Sequence, residues 1–301
     1  MAGSGVGVGA AEVKVRVPQE ADAFGEFEKG GWRKAAAHYE ASWAALTSLF
    51  VPHLLDHLEV GPATRVLDVC CGPGFLCAEA ARRGATATGV DFAPEMVQRA
   101  KERHPGIELR EGDAQELGFD DACFDVVAMS FGVPHLSRPE KAFTEAARVL
   151  RPGGRFGFTV WARPDLNPLA EIVDRAIGAH GELAVDLPEG PPFFRFADAV
   201  ECRRTLEQAG FEGASLRFEA VSVHWRVPTA GFLFEAERMG GVRTAAVLAR
   251  QGAESLRAIQ DAVEEGVQKY RSDDGFAIPA TAHVVSARVQ QATGTRGGRS
   301  G

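Results

Sequence analysis

The chain has 301 residues, 45% hydrophobic and 25% charged, enough to bury a full core as one large domain or as a domain carrying an inserted lid. Its 33 basic and 41 acidic residues give a net charge of -8, with no basic run and no basic-aromatic interleaving to track a phosphate backbone, which excludes nucleic acid as the expected substrate. No apolar stretch reaches the roughly eighteen residues of a spanning helix, Met1 to Ala11 has no basic flank, and the five cysteines form no paired C-x-x-C pattern, so a cytoplasmic protein is expected.

Residues 1–20 are rich in Gly, Ala and Val without periodicity and are expected to form a flexible arm. From Trp32 to Leu58, the residues Ala36, Tyr39, Trp43, Leu46 and Phe50 recur at three- and four-residue steps, so N-terminal helices are expected within residues 21–62. Strands follow near 65–70, 85–91, 106–111, 124–130 and 154–161, separated by helices, and crossovers of that length make a parallel sheet. Asn167 to His180 and Ala197 to Ala209 read as helices, joined by a loop, Leu187 to Arg195, whose prolines and glycine prevent regular structure and suit the rim of a site. Ser215 to Val227 alternates as a sixth strand and Thr281 to Val289 reads as the last. The helical segment between them is too long for a hairpin and predicts a lid insertion at 228–274, within a domain spanning 63–290. A disordered tail is expected at 291–301.

Val66 to Leu76 is an apolar strand that runs through a small-residue turn into a helix, and the next strand ends in Asp91, about two dozen residues beyond Asp68. Such a turn serves either a dinucleotide or S-adenosylmethionine. The dinucleotide pattern G-x-G-x-x-G fails in both possible frames, which read Cys70, Gly72, Phe75 or Gly72, Gly74, Cys77. Asp68-x-Cys70-x-Gly72-x-Gly74 instead resembles the first motif of class I S-adenosylmethionine-dependent methyltransferases, (Asp/Glu)-x-Gly-x-Gly-x-Gly, with Cys70 in place of the first glycine. Gly89 to Phe92, Glu111 to Ala114, Phe124 to Phe131 and the Arg151-Pro152-Gly153-Gly154 segment resemble the later motifs of that superfamily in their order. The wording is most similar to small-molecule enzymes of the ubiquinone/menaquinone-biosynthesis type, over roughly residues 35 to 290.

The resemblance implies an α/β fold: a doubly wound, mostly parallel seven-stranded sheet of the Rossmann-like methyltransferase kind, with an antiparallel last strand and the helical lid. It implies S-adenosyl-L-methionine as cofactor. Backbone from Cys70 through Gly72 to Gly74 would cradle its amino-acid part, with Asp68 near the ammonium or fixing the turn. Asp91 would take both ribose hydroxyls, Phe92 and Met96 would pack on the adenine, and Asp113 with Ala114 would contact its edge. Ser130 stands at the fourth strand's end beside the cofactor, and the N-terminal helices would cover the site with Tyr39 or Trp32. His135, just beyond that strand, is the candidate catalytic base, and a loop-anchoring role is the competing reading. Asp125, at the start of its strand, is expected to be structural. The acceptor would be a small, partly apolar molecule methylated at O, N or C. Two alternatives stand beside this: a thiol or metalloid methyltransferase using Cys70, Cys71 and Cys77, or a cofactor-binding protein without turnover. No metal constellation stands out, because His53 and His57 share a helical i, i+4 spacing without a third ligand.

Overall fold

The computed structural model describes residues 22–291, so the arm expected at 1–20 and all but the first residue of the tail expected at 291–301 lie outside the described residues. Its sheet has the order β3-β2-β1-β4-β5-β8-β6, with the short β7 paired on β8. The strands β1 (Arg65–Val69), β2 (Thr86–Asp91), β3 (Glu108–Glu111), β4 (Phe124–Ser130) and β5 (Leu150–Trp161) run parallel to one another. The strand β8 (Gly275–Arg288) lies antiparallel between β5 and β6 (Arg217–Val227), and β7 is Arg271–Ser272.

Successive strand residues leave the sheet on opposite faces, which divides the core in two. Val66 and Val126 join one cluster with Leu54, Trp225 and Ile278. Leu67 and Val127, their direct neighbours, join the other with Phe143, Phe156, Phe158 and Phe211. The crossovers are α4 (Phe75–Arg82), α5 (Pro94–Arg103) and α6 (Pro139–Val149), followed by α7 (Pro168–His180) and α8 (Ala199–Gln208). Proline opens α5, α6 and α7, where its missing N–H has no intrahelical partner to lose. Asp125 is structural as expected: Oδ2 accepts the Arg65 N–H at 2.8 Å, tying the start of β1 to β4.

Four features differ from the sequence reading. The helical pattern from Trp32 to Leu58 is broken into α1 (Ala23–Tyr39), α2 (Trp43–Thr47) and α3 (Val51–His57), with a 3-10 turn at Ser48–Phe50. Ser42 makes the break, its hydroxyl donating to the His38 carbonyl at 2.8 Å and so competing with the helix's own ladder. The α1 helix begins well before the periodic signal because Asp22 caps it, accepting the Gly25 N–H at 2.8 Å. The Pro-Gly-Gly segment, which an expected strand near 154–161 leaves largely outside it, is an irregularity inside β5, whose pairing with β4 shifts between Phe124 and Val126, and Gly153 takes φ +76 there. The last strand starts earlier than Thr281. Pro279 lies in it where β8 has only β6 as a neighbour, since pairing with β5 ends at Ala282.

The insertion between β6 and β8 folds as α9 (Phe232–Gly240), α10 (Arg243–Leu248) and α11 (Ala253–Gln268). These helices are keyed into the body of the molecule: Leu233, Ile259, Val263 and Val267 are buried in the first core cluster. The Trp43 indole N–H donates to the Ala236 carbonyl at 3.0 Å and its ring stacks on Trp225 at 5.2 Å.

Candidate active site

The strand order reverses between β1 and β4, and at their carboxyl ends lies a cavity of about 650 Å³. Ligands of open α/β sheets gather at such a crevice. After β1 the chain enters the turn through Cys70 at φ +59, Gly72 at φ +51 and Gly74 at φ +83. Cys70 therefore holds the left-handed conformation that a glycine adopts freely and a side chain resists by about 1 kcal/mol or more. Gly132, in the loop after β4, makes room for it: a Cβ on Gly132 would sit 2.5 Å from the Cys70 Cβ and 2.8 Å from its Sγ. Gly132→Ala should consequently displace this turn and weaken whatever binds there, measurable as lost ligand affinity in a protein whose circular dichroism is unchanged.

Two buried carboxylates organise the turn. Asp91 closes β2, and its Oδ2 accepts the Gly72 N–H while Oδ1 accepts the Ala93 N–H, both at 2.9 Å. Burial pushes its carboxyl up to about 6 against the opposing pull of those two N–H groups. Asp68 is 1% exposed; Oδ2 accepts from the Cys77 thiol at 3.4 Å, and Oδ1 has no partner among the described residues. Burial pushes Asp68 up to about 7. A carboxyl raised in the folded state costs stability when ionised. That cost is absent below the ordinary value of 3.8, grows with pH and is complete above about 7. Asp68→Asn should therefore raise the melting temperature at pH 8 and leave it nearly unchanged at pH 4, while a ligand that needs the charge loses affinity. An unchanged melting temperature at pH 8 would contradict this account of the site.

The other sequence-expected residues converge on the same cavity. Phe92, Met96, Asp113, Ala114, Ser130 and His135 line it with Asp68, Cys70, Gly72 and Asp91. Asp113 is oriented by its own turn, Oδ1 accepting the Gln115 N–H at 2.8 Å, and the Ser130 hydroxyl lies 3.4 Å from that of Thr159. Gly74 is the one that does not line the cavity. It precedes α4, and a Cβ there would meet the His104 ring at 3.2 Å, so it serves the packing of α4 on α5. Trp32 and Tyr39 of α1 line the cavity too.

Beyond the end of β5 the lining includes the apolar and aromatic side chains of Trp43, Phe131, Trp161, Leu169 and Val173 together with the polar ones of Asn167, Asp174 and Glu237. His135 faces the buried carboxylate of Glu28 on α1, its Nδ1 2.9 Å from Oε2. Arg243 of α10 donates from Nε to the other oxygen at 2.8 Å and from Nη1 to the Pro191 carbonyl of the rim loop at 3.1 Å. Burial raises the Glu28 carboxyl, but His135 and Arg243 outweigh it and hold it below its ordinary value of 4.5. An ionised carboxylate only accepts, so Nδ1 of His135 carries a proton and, in a neutral ring, Nε2 holds the lone pair.

Residues 67–158 match a methyltransferase-domain family. Demethylmenaquinone methyltransferase of Beutenbergia cavernae is 33% identical over 178 residues, which cover 54% of this chain and 72% of that one. The Streptomyces avermitilis enzyme of the same name is 33% identical over 185 residues, 58% of this chain and 75% of that one. The chain belongs to the class I S-adenosylmethionine-dependent methyltransferases. Within that family it resembles the quinone-biosynthesis type. Two solved structures share the methyltransferase's fold at TM-score 0.52: BH2331 of Bacillus halodurans, 18% identical, covers 80% of this chain and 99% of its own. The SpnF cyclase is 20% identical over 83% of this chain and 84% of its own.

The residues of this methyltransferase fit the cofactor that the family implies. A Cβ on Gly72 would meet nothing within 4 Å, so the turn is open on the side where a ligand's amino-acid portion would lie. The orphaned Oδ1 of Asp68 supplies an acceptor in need of a donor. Glu28 and Arg243 carried no signal in the sequence, because each is an ordinary helix-surface charge until the tertiary fold buries one against the other. Asn167 and Glu237 also line the cavity of the methyltransferase without having been marked by any motif.

Proposed function

We propose that this enzyme transfers a methyl group from S-adenosylmethionine to a small, partly apolar acceptor at oxygen, nitrogen or carbon, with a quinol-type ring as the first candidate. The observation that carries the reading is one cavity lined both by Asp91 and the Cys70 turn and by the aromatic side chains of Trp43, Phe131 and Trp161. The relatives named demethylmenaquinone methyltransferase support the choice of a ring-bearing acceptor. When bound, S-adenosylmethionine supplies the activated methyl group, so the protein's work is to hold the two reactants close and dry.

In this reading Asp91 binds the ribose hydroxyls, Phe92 and Met96 pack on the adenine, Asp113 and Ala114 contact its edge, and Ser130 borders the cofactor. His135 would use Nε2 to take a proton from a hydroxyl acceptor, with Glu28 holding the ring in the required tautomer. His135→Ala should slow transfer to a hydroxyl acceptor about a hundredfold and leave S-adenosylhomocysteine affinity nearly intact. A folded variant with parent-like rates from pH 5.5 to 8 would return His135 to a loop-anchoring role.

The thiol or metalloid alternative is less well supported. Burial pushes the Cys70, Cys71 and Cys77 thiols well above their ordinary range, the reverse of a reactive thiolate. Among the described residues no three His, Cys, Asp or Glu side chains are grouped to hold a metal. The test of the main reading is incubation of the purified protein with S-adenosylmethionine and reduced 1,4-naphthoquinone. Release of S-adenosylhomocysteine with a one-methyl mass gain in the ring compound supports it. Activity with arsenite that Cys70→Ser abolishes would favour the alternative, and binding of cofactor without turnover of any offered acceptor would favour a non-catalytic role.

A further inference from the structure

Asn167, immediately before α7, is 1% exposed, lines the cavity, and has no hydrogen-bond partner on Nδ2 among the described residues. Its other polar groups are all occupied. The backbone N–H donates to the Pro164 carbonyl at 3.2 Å, the backbone carbonyl accepts the Glu171 N–H at 2.9 Å, and Oδ1 accepts the Thr281 N–H at 3.2 Å. The last bond fixes which way the amide points, because a flip would set its NH2 group against the N–H of Thr281, donor against donor. A donor is thus held in a buried wall with nothing to receive its hydrogens, an arrangement that folded proteins rarely keep without a reason.

Its position suits an acceptor subsite. Thr281 adjoins Ala282, which pairs with Trp161 at the end of β5, and Thr159 on that strand pairs with Ser130 at the end of β4. Asn167 therefore stands one strand beyond the place where β4 ends, among the apolar walls of Trp161, Leu169 and Val173.

We propose that Nδ2 of Asn167 anchors the methyl acceptor, and that the acceptor presents to it a carbonyl or ring-hydroxyl oxygen on an apolar body. The inference rests on the methyl-transfer reading for the use of the cavity. An ammonium group has no lone pair to offer this donor. Asp174 and Glu237 also line the cavity, and burial raises both carboxyls, Glu237 to about 7, so an amine probe measures directly whether the site prefers a cation beside them to a carbonyl at Asn167.

The test uses three probes of one size, 1-tetralone, tetralin and 1-aminotetralin, titrated at pH 8 into the parent protein and two variants, with and without S-adenosylhomocysteine. Asn167→Asp keeps an acceptor for the Thr281 N–H and removes the donor, so it preserves the fold where Asn167→Leu orphans that N–H. The parent should bind tetralone about tenfold more tightly than tetralin, and the carbonyl stretch of bound tetralone should fall in frequency. Both effects should vanish in Asn167→Asp. Equal or absent binding of tetralone and tetralin by the parent, a preference for the amine, or a preference that survives Asn167→Asp would overturn the proposal. S-adenosylhomocysteine affinity, read in the same titrations, reports on the cofactor end alone. Its absence alongside an intact tetralone preference would sink the methyl-transfer reading and leave the subsite standing.

Discussion

Asp91→Ala should weaken binding of both S-adenosylmethionine and S-adenosylhomocysteine by a hundredfold or more. Two charge-assisted hydrogen bonds to ribose hydroxyls account for about 3 kcal/mol or more. The side chain also holds the turn itself, since removing it frees the N–H groups of Gly72 and Ala93 that it now accepts at 2.9 Å. Asp91→Asn keeps the size and one acceptor oxygen but loses the charge, and should fall between parent and alanine. The pH dependence has a definite sign. Burial pushes the Asp91 carboxyl up to about 6, and its ionised form offers both oxygens as acceptors only. Affinity in the parent should therefore be full above pH 7 and decline as pH falls through 6, whereas the asparagine variant should lack that step. Calorimetry across the range decides it, and equal affinities for parent and alanine variant would remove Asp91 from the cofactor site.

The second large effect is expected at Arg243. Glu28 is fully buried, and its carboxylate is shared between His135 at 2.9 Å and Arg243 at 2.8 Å. Removing one partner of a buried charge typically costs about 3–5 kcal/mol, and Arg243→Ala should lie near the lower end because the guanidinium is itself partly exposed. That side chain also covers the Phe24 ring at 4.5 Å and the Phe193 ring at 5.4 Å, so it joins the insertion to α1 and to the rim loop. Thermal unfolding should drop by several degrees, and methyl transfer should fall while cofactor affinity holds. Glu28 is lowered below 4.5 in the folded protein, so its stabilising contribution is present above that value and is lost as pH falls through the folded one. The gap between parent and Arg243→Ala should accordingly narrow under acid conditions. Glu28→Leu combined with Arg243→Met should recover much of the lost stability without recovering activity. If the double variant is less stable than Arg243→Ala, the pair is not acting through an uncompensated charge.

The turn and the acids at the β1 and β2 end of the cavity were legible in the sequence because they are local. A strand, a turn of small residues and an acid at the next strand end follow one another in the chain, and strand parity fixes which side chains reach the cavity. Cys70 was the ambiguous position, and the structure resolves it through Gly132, a residue far away in sequence that supplies the space its side chain needs. Gly74 shows the reverse: it satisfies the motif, yet its left-handed backbone serves helix packing against His104. The acceptor end was nearly silent. Asn167, Glu237 and Arg243 come from the start of α7 and the inserted helices, and only the tertiary fold brings them to one cavity, with Glu28 of α1 behind His135 and Arg243. Helix boundaries failed where a single side chain overrode periodicity, as Ser42 does between α1 and α2.

The assignment of the cavity is tested most directly by a crystal structure of the protein with S-adenosylhomocysteine. The ribose hydroxyls are expected on the carboxylate of Asp91, the amino-acid portion against the turn from Cys70 to Gly72, and the adenine edge at Asp113, with the sulfur facing the chamber that contains Trp161 and Asn167. Density for the ligand elsewhere on the molecule, or an orientation that leaves Asp91 bonded only to the N–H groups of Gly72 and Ala93, would contradict it.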